Sequence, residues 1–525
     1  MLREAVRAKT RRRGETVLQP MPWLAPVKGW RTDQPLQAME PDAAASLVNF
    51  FPEAGYIRAR GGSQQWATGL GTTVNTLIPY TGSTNKLFAA AGSNIYDVTS
   101  SGAVGAAAVS GLTSDHWSYA QISTAGGFYL TICNGADSVR QFNGSAWSTP
   151  GFTGVTLSKL SVVHPHRERL YFIQNGTTSL WYGTTFGVSG ALTQLDCGAD
   201  MQYGGYLVAL GTWTLVSVYG LTLLLVVITS NGELLFYSGS NPSDSTNWSL
   251  IGNAKLSPPL GGDRCARQVG ADLAIMTEGG IVPASKALTL DPSAVDLVSL
   301  TRNIAPTFLQ IVQGVGTSGP WQFLTHPMRR MAIVNVPDTS AGYYQLVMNT
   351  ETHAWTKFIG MSTATCWESW NDGLYFGDGG VVYKAEVGGT DNGAPIDCQM
   401  TGAWNSGDGV SRRMPSMIAI NAQNDGSSTF YGAVSTDFTV TTPVAVASAS
   451  GGAGAATPAT WGSAQWDVSY WPGTANVRLL AAAAAPSDGA SLAPSVRAIV
   501  SGNSTTLPTC NVYGGSVLFE PGEFI

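Results

Sequence analysis

Apolar and polar positions along the chain repeat one short motif. A run of apolar residues reaches a Gly- or Asn-rich turn, and a second run rich in Tyr, Trp and Val follows. Copies lie at Leu87–Val98, Tyr129–Phe142, Arg169–Tyr182, Leu224–Tyr237, Ala271–Val282, Met331–Met348 and Gly373–Lys384. Alternating apolar residues around a turn that favours positive φ predict a β-hairpin at each. Hairpins returning every ~30–60 residues over ~300 residues predict sheets arranged as blades about an axis. The expected fold is all-β. It is a β-propeller of six or seven blades, with room for inserted loops, plus a C-terminal β-sandwich-like domain and an extended N-terminal arm.

The expected boundaries follow changes in pattern. Residues 1–60 read as a basic arm followed by a Pro-rich segment, extended and lying on another surface. Residues 61–390 carry the hairpins, and residues 391–525 form a third, β-rich part. There, strand-like runs (Met417–Ile420, Thr429–Val434, Ser516–Glu520) alternate with Ala/Ser/Thr/Gly stretches. Two segments favour helix by composition: Asp42–Phe51 and the Ala run Leu479–Ala485. Met201–Ser230 carries no charge and contains LTLLLVVI, so its length alone suits a membrane span. Gly204, Gly205, Gly211 and Gly220 break it, and two buried strands joined near Gly220 fit better.

Composition adds a constraint on the surface. Charged residues are only 12% of the 525, about half the ~25% usual for soluble domains. Two readings fit: a Gly-turn-rich all-β protein with a Ser/Thr surface, or a surface largely covered by neighbouring copies. The net charge of −6 is unevenly spread. Arg3, Arg7, Lys9, Arg11, Arg12 and Arg13 against Glu4 give residues 1–13 a balance of +5, leaving −11 elsewhere. Such an arm is either solvated or docks on an acidic neighbour or nucleic acid. Arg7, Lys9, Arg11, Arg12 and Arg13 are the candidate subunit or adaptor contacts. The six cysteines form no CxxC pair, and several sit in strand-like runs, as buried thiols of a chain assembled in a reducing cytosol would. The basic N-terminus lacks a following apolar h-region, so no signal peptide is expected.

Candidate chemistry is sparse. His164-Pro165-His166, beside Arg167, Glu168 and Arg169, places two imidazoles on one strand face. A metal or catalytic cluster would need a third partner, which is not nearby, and a residue opening a blade strand is the preferred reading. Asn143-Gly144 and Asn175-Gly176 sit in sequons, but turn geometry accounts for them. Ser243–Trp248 resembles a degenerate Asp-box of sialidase propellers, without the rest of a sialidase site. No nucleophile elbow, P-loop or H-E-x-x-H occurs. No catalytic residue, cofactor or metal is assigned, and the chain is not expected to be an enzyme. Trp321-Gln322-Phe323 and Trp404-Asn405 are either loop tips that narrow a channel or core.

Three stretches resemble the tail nozzle (stabilisation or tail tube) proteins of short-tailed bacteriophages. The first is Asn49-Phe50-Phe51-Pro52 with Tyr56–Gly62, Thr76–Tyr80, Leu87–Ala90 and Ile95–Val98. The second runs from Ile228–Glu233 through Tyr237–Pro242 and Trp248–Gly252 to Met276–Gly280 and Pro283–Leu288. The third joins Ile333–Pro337, Val347–Thr350, Ala354-Trp355, Cys366–Glu368, Asp372–Gly377 and Gly379–Tyr383. The likeness spans about residues 45–390, Val517–Gly522 resembles the family's last strand, and residues 440–515 match poorly.

The resemblance implies a structural subunit of a homo-hexameric ring below the portal and adaptor, retaining the genome and then conducting it during ejection. The implied partners are further copies of itself, the adaptor and portal proteins, tail fibres or spikes, and, transiently, double-stranded DNA. The implied location is the virion tail, assembled in host cytoplasm. An acidic or neutral wall suits a DNA passage, because each phosphate neutralised by Lys or Arg adds affinity. The alternative is a glycan-binding or glycan-hydrolysing propeller, such as a receptor-binding tail protein. It predicts paired carboxylates and an aromatic platform on one propeller face.

Overall fold

A computed structural model describes residues 18–217, 220–289, 298–317, 319–338, 340, 342–409, 411–441, 443, 476–482, 488–502 and 505–524. All seven expected hairpins form, and each supplies the second and third strands of one antiparallel blade. Blade 1 comprises residues 74–80, Lys86–Ala91 and Asn94–Asp97. Blade 2 is Ser118–Thr124, Gly127–Cys133, Arg140–Phe142 and Trp147–Ser148. Blade 3 is Leu160–His166, Arg169–Gln174, Ser179–Tyr182 and Thr193–Asp196. Blade 4 is Leu207–Ser217, Gly220–Thr229, Glu233–Gly239 and Trp248–Lys255. Blade 5 has three strands, Ala266–Val269, Asp272–Thr277 and Gly280–Pro283, followed by helix α1 at Ala284–Thr289. Blade 6 is Gln322–His326, Met331–Asp338, Gly342–Asn349 and Trp355–Phe358.

Blade 7 closes the ring. Its strands Cys366–Trp370, Gly373–Gly377 and Gly379–Ala385 are completed by the start of the long strand Ser63–Tyr80, with Ser63 opposite Ala385 and Ala67 opposite Val382. The same strand then becomes the innermost strand of blade 1. One strand thus serves two blades, which requires a sharp change of direction. Gly69 (φ +87°) and Gly71 (φ +80°) supply it in the left-handed region that other residues avoid. The fold is a seven-bladed β-propeller.

Its cohesion comes from apolar layers between successive blades. Ile78, Phe88, Leu130 and Ile132 fill the gap between blades 1 and 2. Leu225 and Val227 of blade 4 face blade 3, while Leu224, Val226 and Ile228 face blade 5. That two-sided burial explains the uninterrupted LTLLLVVI run, because both faces of the strand are covered. No helix among the described residues is long and apolar enough to cross a membrane. Helix α2, Ala305–Val315, packs Phe308 and Val312 into the layer between blades 5 and 6. Trp321 and Phe323 are buried in that layer, and Trp404 is also buried.

The segment before the propeller is not a loose extension. Gln19–Leu24 pairs with Cys510–Phe524, and Ala44–Val48 pairs with Ala394–Gly402. Phe50–Glu53 and Tyr56–Ala59 form a hairpin whose second strand also pairs with Cys510–Phe524. These strands join Ser411–Asn424, Asn476–Ala482, Ser428–Thr436 and Leu492–Val500 in two layers around one core that includes Leu47, Phe50, Ile57, Cys398, Ile418, Val496 and Val517. The β-sandwich is therefore built from both flanks of the propeller. Within Asp42–Phe51 the chain forms strand at Ala44–Val48 and from Phe50 onward, not helix, because Leu47, Phe50 and Phe51 are fully buried there. Each such burial is worth about 1.5–3 kcal/mol, whereas helix propensities differ by only a few tenths of a kcal/mol per residue. Asn476–Ala482 likewise pairs with Ser411–Asn424 rather than coiling. The remainder of that Ala run lies outside the described residues.

Candidate functional site

The innermost strands of the seven blades pack side by side around the axis. Between blades 1 and 2, Thr76 Oγ1 donates to Asp115 O at 2.7 Å and accepts from Trp117 N at 3.1 Å. These strands enclose a cavity of about 380 Å3, lined among others by Tyr119, His164, His166, Thr212, Arg267 and Glu368. An inner strand has an unpaired edge toward the axis. Pro165, which has no N–H, is tolerated there, and the two histidines flank it on one face.

His164 Nε2 and His166 Nδ1 lie 2.9 and 3.0 Å from the same hydroxyl, Thr212 Oγ1 on the inner strand of blade 4. That hydroxyl has one proton and two lone pairs, so it donates to at most one of the two rings. Burial pushes His164 down to about 4, with Arg267 adding to the effect. His166 is pushed down to about 3 by burial, then by His164 and Arg167. Both rings are neutral at pH 7. The turn after them is Arg167-Glu168, with φ of +42° and +64°. A two-residue hairpin needs two left-handed residues, and Asn-Gly is the usual choice, so this turn escapes a search for Asn-Gly.

Tyr119 donates a short hydrogen bond to Glu368 Oε2. Arg267 Nη2 donates to Tyr119 Oη at 3.3 Å and stands 3.7 Å from Glu368 Oε2. Blades 2, 5 and 7 thus meet in one polar cluster at the axis. Below blade 5, Asp263 Oδ1 contacts His116 Nε2 at 2.8 Å. Burial works against the Asp263 charge, but His116, Arg264 and Arg267 outweigh it and hold the carboxyl below its usual range. Buried Arg264 donates from Nη2 to Asn75 O and Thr76 Oγ1, both at 2.8 Å. Gln322 brackets Trp367, accepting from its N–H at 2.8 Å and donating to its carbonyl at 2.7 Å.

The sequence motif at His164–Arg169 therefore does reach the axis, but Arg169 turns outward, donating from Nε to Ser240 O and from Nη1 to Gly183 O. Tyr119, Asp263, Arg264, Arg267 and Glu368 were not visible as a group, since they are scattered over 250 residues of sequence. The usable signal is positional: each lies on or just before the strand that opens a blade. Ser243–Trp248 is a turn in which Asp244 accepts from Thr246 N, Thr246 Oγ1 and Asn247 Nδ2. In the Asn143 turn, Asn143 Oδ1 accepts from Ser145 N and Ala146 N. All six cysteines are buried and unpaired. Arg7, Lys9, Arg11, Arg12 and Arg13 lie outside the described residues. Among the described residues no group of three or more His, Cys, Asp or Glu side chains is placed to hold a metal ion.

A second polar cluster joins propeller to sandwich. Arg60, fully buried, donates to Asn49 Oδ1 and Gly61 O at 2.9 Å, to Ile359 O at 2.6 Å, and to both carboxylate oxygens of Asp391. Glu386 Oε1 accepts from Gly61 N at 3.0 Å.

No protein-family model and no curated protein sequence matches the chain. Similar solved structures include YCF48 from Cyanidioschyzon merolae, at 9% identity over 62% of this chain and 98% of that one, TM-score 0.36. YCF48 bound to D1 peptide is similar at 11% identity over 64% and 96%, TM-score 0.34. BBS1N in complex with ARL6DN is similar at 8% identity over 62% and 97%, TM-score 0.38.

Proposed function

We propose that the chain is a structural virion protein: one subunit of a hexameric tail nozzle ring that sits below the portal and adaptor, retains the genome and then conducts it during ejection. The observation that carries this reading is the resemblance of three stretches within about residues 45–390. Its segments fall on blades 1, 4, 5, 6 and 7 and on the Arg60 junction. The axial cavity of one propeller does not itself serve as the passage. At about 380 Å3 it is far too small for a duplex whose major groove alone is about 12 Å wide. The passage lies between copies, in a ring closed by heterologous contacts. A body carrying −11 outside the arm presents few cations to phosphates, which favours sliding over holding. The arm residues Arg7 to Arg13 tie a subunit to its neighbour or to the adaptor.

Two measurements test this. Light scattering of the purified 55.0 kDa chain should find a particle of about 330 kDa, six copies in a closed ring. Electron microscopy of virions should place that ring on the tail axis. A monomer that cleaves polysaccharide would replace the proposal with the glycan-hydrolysing alternative. Deleting residues 1–16 should block tail assembly, and normal assembly would remove the arm from the scheme.

A further inference from the structure

The axial cavity carries polar groups whose hydrogen-bonding capacity the described residues leave largely or wholly unused. Arg267 has five N–H donors, and its only hydrogen bond among the described residues is the 3.3 Å contact to Tyr119. Its side chain is 34% exposed, yet it lines the cavity wall. His166 is 2% exposed, lines the same cavity, and its Nε2 has no partner. Arg167 Nε is also buried without a partner, although Nη2 donates to Leu223 O. A buried donor or acceptor left unmatched is unfavourable, so His166 Nε2 and Arg167 Nε call for a partner.

The balance of charge indicates what matches them. Arg167, Arg264 and Arg267 face Asp263 and Glu368, three cations against two anions, with both histidines neutral. Both carboxylates are already engaged, Asp263 by His116 and Glu368 by Tyr119 and, at 3.7 Å, by one end of the Arg267 guanidinium. The surplus is in donors and in positive charge. A guanidinium fork is built to take two oxygens of one oxyanion. The volume falls within the range of small-molecule pockets, about 300–1,000 Å3.

We propose that the propeller axis holds a binding site for a small oxyanion, a carboxylate or phosphate, gripped by the Arg267 guanidinium with Arg167 and His166 as further contacts. The site belongs to a single copy and does not depend on ring formation. Bound there, the anion joins blade 3 to blade 5 across the axis and stiffens the ring of blades.

The chain has five histidines, so ring 15N signals of selectively labelled, full-length protein can be followed one by one. Inorganic phosphate and citrate are the probes, with glycerol and spermidine as neutral and cationic controls. Phosphate or citrate should shift the His166 ring nitrogens saturably, and exposed His353 should not move. A response to phosphate alone identifies a free-phosphate site, and a response to citrate alone an organic-acid site. Arg267→Gln should weaken binding at least tenfold, and Arg267→Lys less. If Arg267→Gln does not fold, protection of Arg267 from phenylglyoxal by either anion in the wild-type protein replaces it. The absence of a saturable shift up to about 10 mM, ten times a millimolar constant, overturns the proposal. So does an unchanged constant in folded Arg267→Gln, or an equal response to glycerol.

Discussion

Replacing Arg60 with Met tests how propeller and sandwich are coupled. Arg60 donates to three neutral acceptors, Asn49 Oδ1, Gly61 O and Ile359 O, and to the carboxylate of Asp391. Asn49 and Gly61 flank the sandwich hairpin, Ile359 follows the last strand of blade 6, and Asp391 lies in the strand Thr390–Asp391. Burial opposes the Arg60 charge, but Asp391 outweighs it and raises the pKa above its ordinary value. Met matches the stem and removes the charge, so Asp391 is left beside the junction without its counterion. Breaking a buried pair from one side costs about 3–5 kcal/mol. With unfolding entropy near 2.1 cal/mol/K per residue, a cooperative unit of 525 residues converts that to a Tm lower by about 3–5 °C. Asp391→Asn should cost less, because Arg60 keeps three neutral acceptors. The double variant should be more stable than the two single losses predict, by about 0.5–3 kcal/mol of coupling. Differential scanning calorimetry on all four proteins measures this. A shift below 1 °C for Arg60→Met, or strictly additive losses, would refute the role assigned to the pair.

Other consequences can be measured directly. Gly71→Ala places a side chain at φ +80° in open space, so only backbone strain of about 1–2 kcal/mol is expected. Gly62→Ala drives a Cβ to 2.0 Å from Thr390 O and should prevent correct closure, seen as loss of soluble protein. Because His164 and His166 are depressed to about 4 and about 3, the unfolded chain binds protons first. Their stability contribution is whole above pH 6.5 and falls as pH drops toward 4, by up to about 1.4 kcal/mol per pH unit for each. Urea titrations of the wild type and a His164→Gln/His166→Gln variant should differ in that slope, and equal slopes would count against neutral buried imidazoles. Burial raises all six thiols, Cys265 and Cys510 to about 12, so Ellman's reagent should find none in the native protein and six in guanidinium.

The propeller was legible because each hairpin announces itself locally. Leu224–Tyr237 and Gly373–Lys384 contain their own strands, turn and alternation, and each became the middle of a blade. The sequence does not decide between six and seven blades, because the inner and outer strands vary from 2 to 11 residues and blade 7 borrows its last strand from residues 63–68. The sandwich was half legible for a related reason. Gln19–Leu24 makes sense only opposite Phe519–Gly514, and nothing local signals a partner so far along the chain. The axial cluster was least legible. His164 and His166 are neighbours in sequence, but Arg267 and Glu368 meet Tyr119 only through the circular arrangement of blades.

The early strands wait for partners made late. Val48 pairs with Gln399 and Ser63 with Ala385, some 320–350 residues downstream. At the ribosome's ~5–20 residues per second, roughly 16–70 seconds pass before either strand meets its match. Phe50, Phe51 and Ile57 lack their native cover throughout that interval.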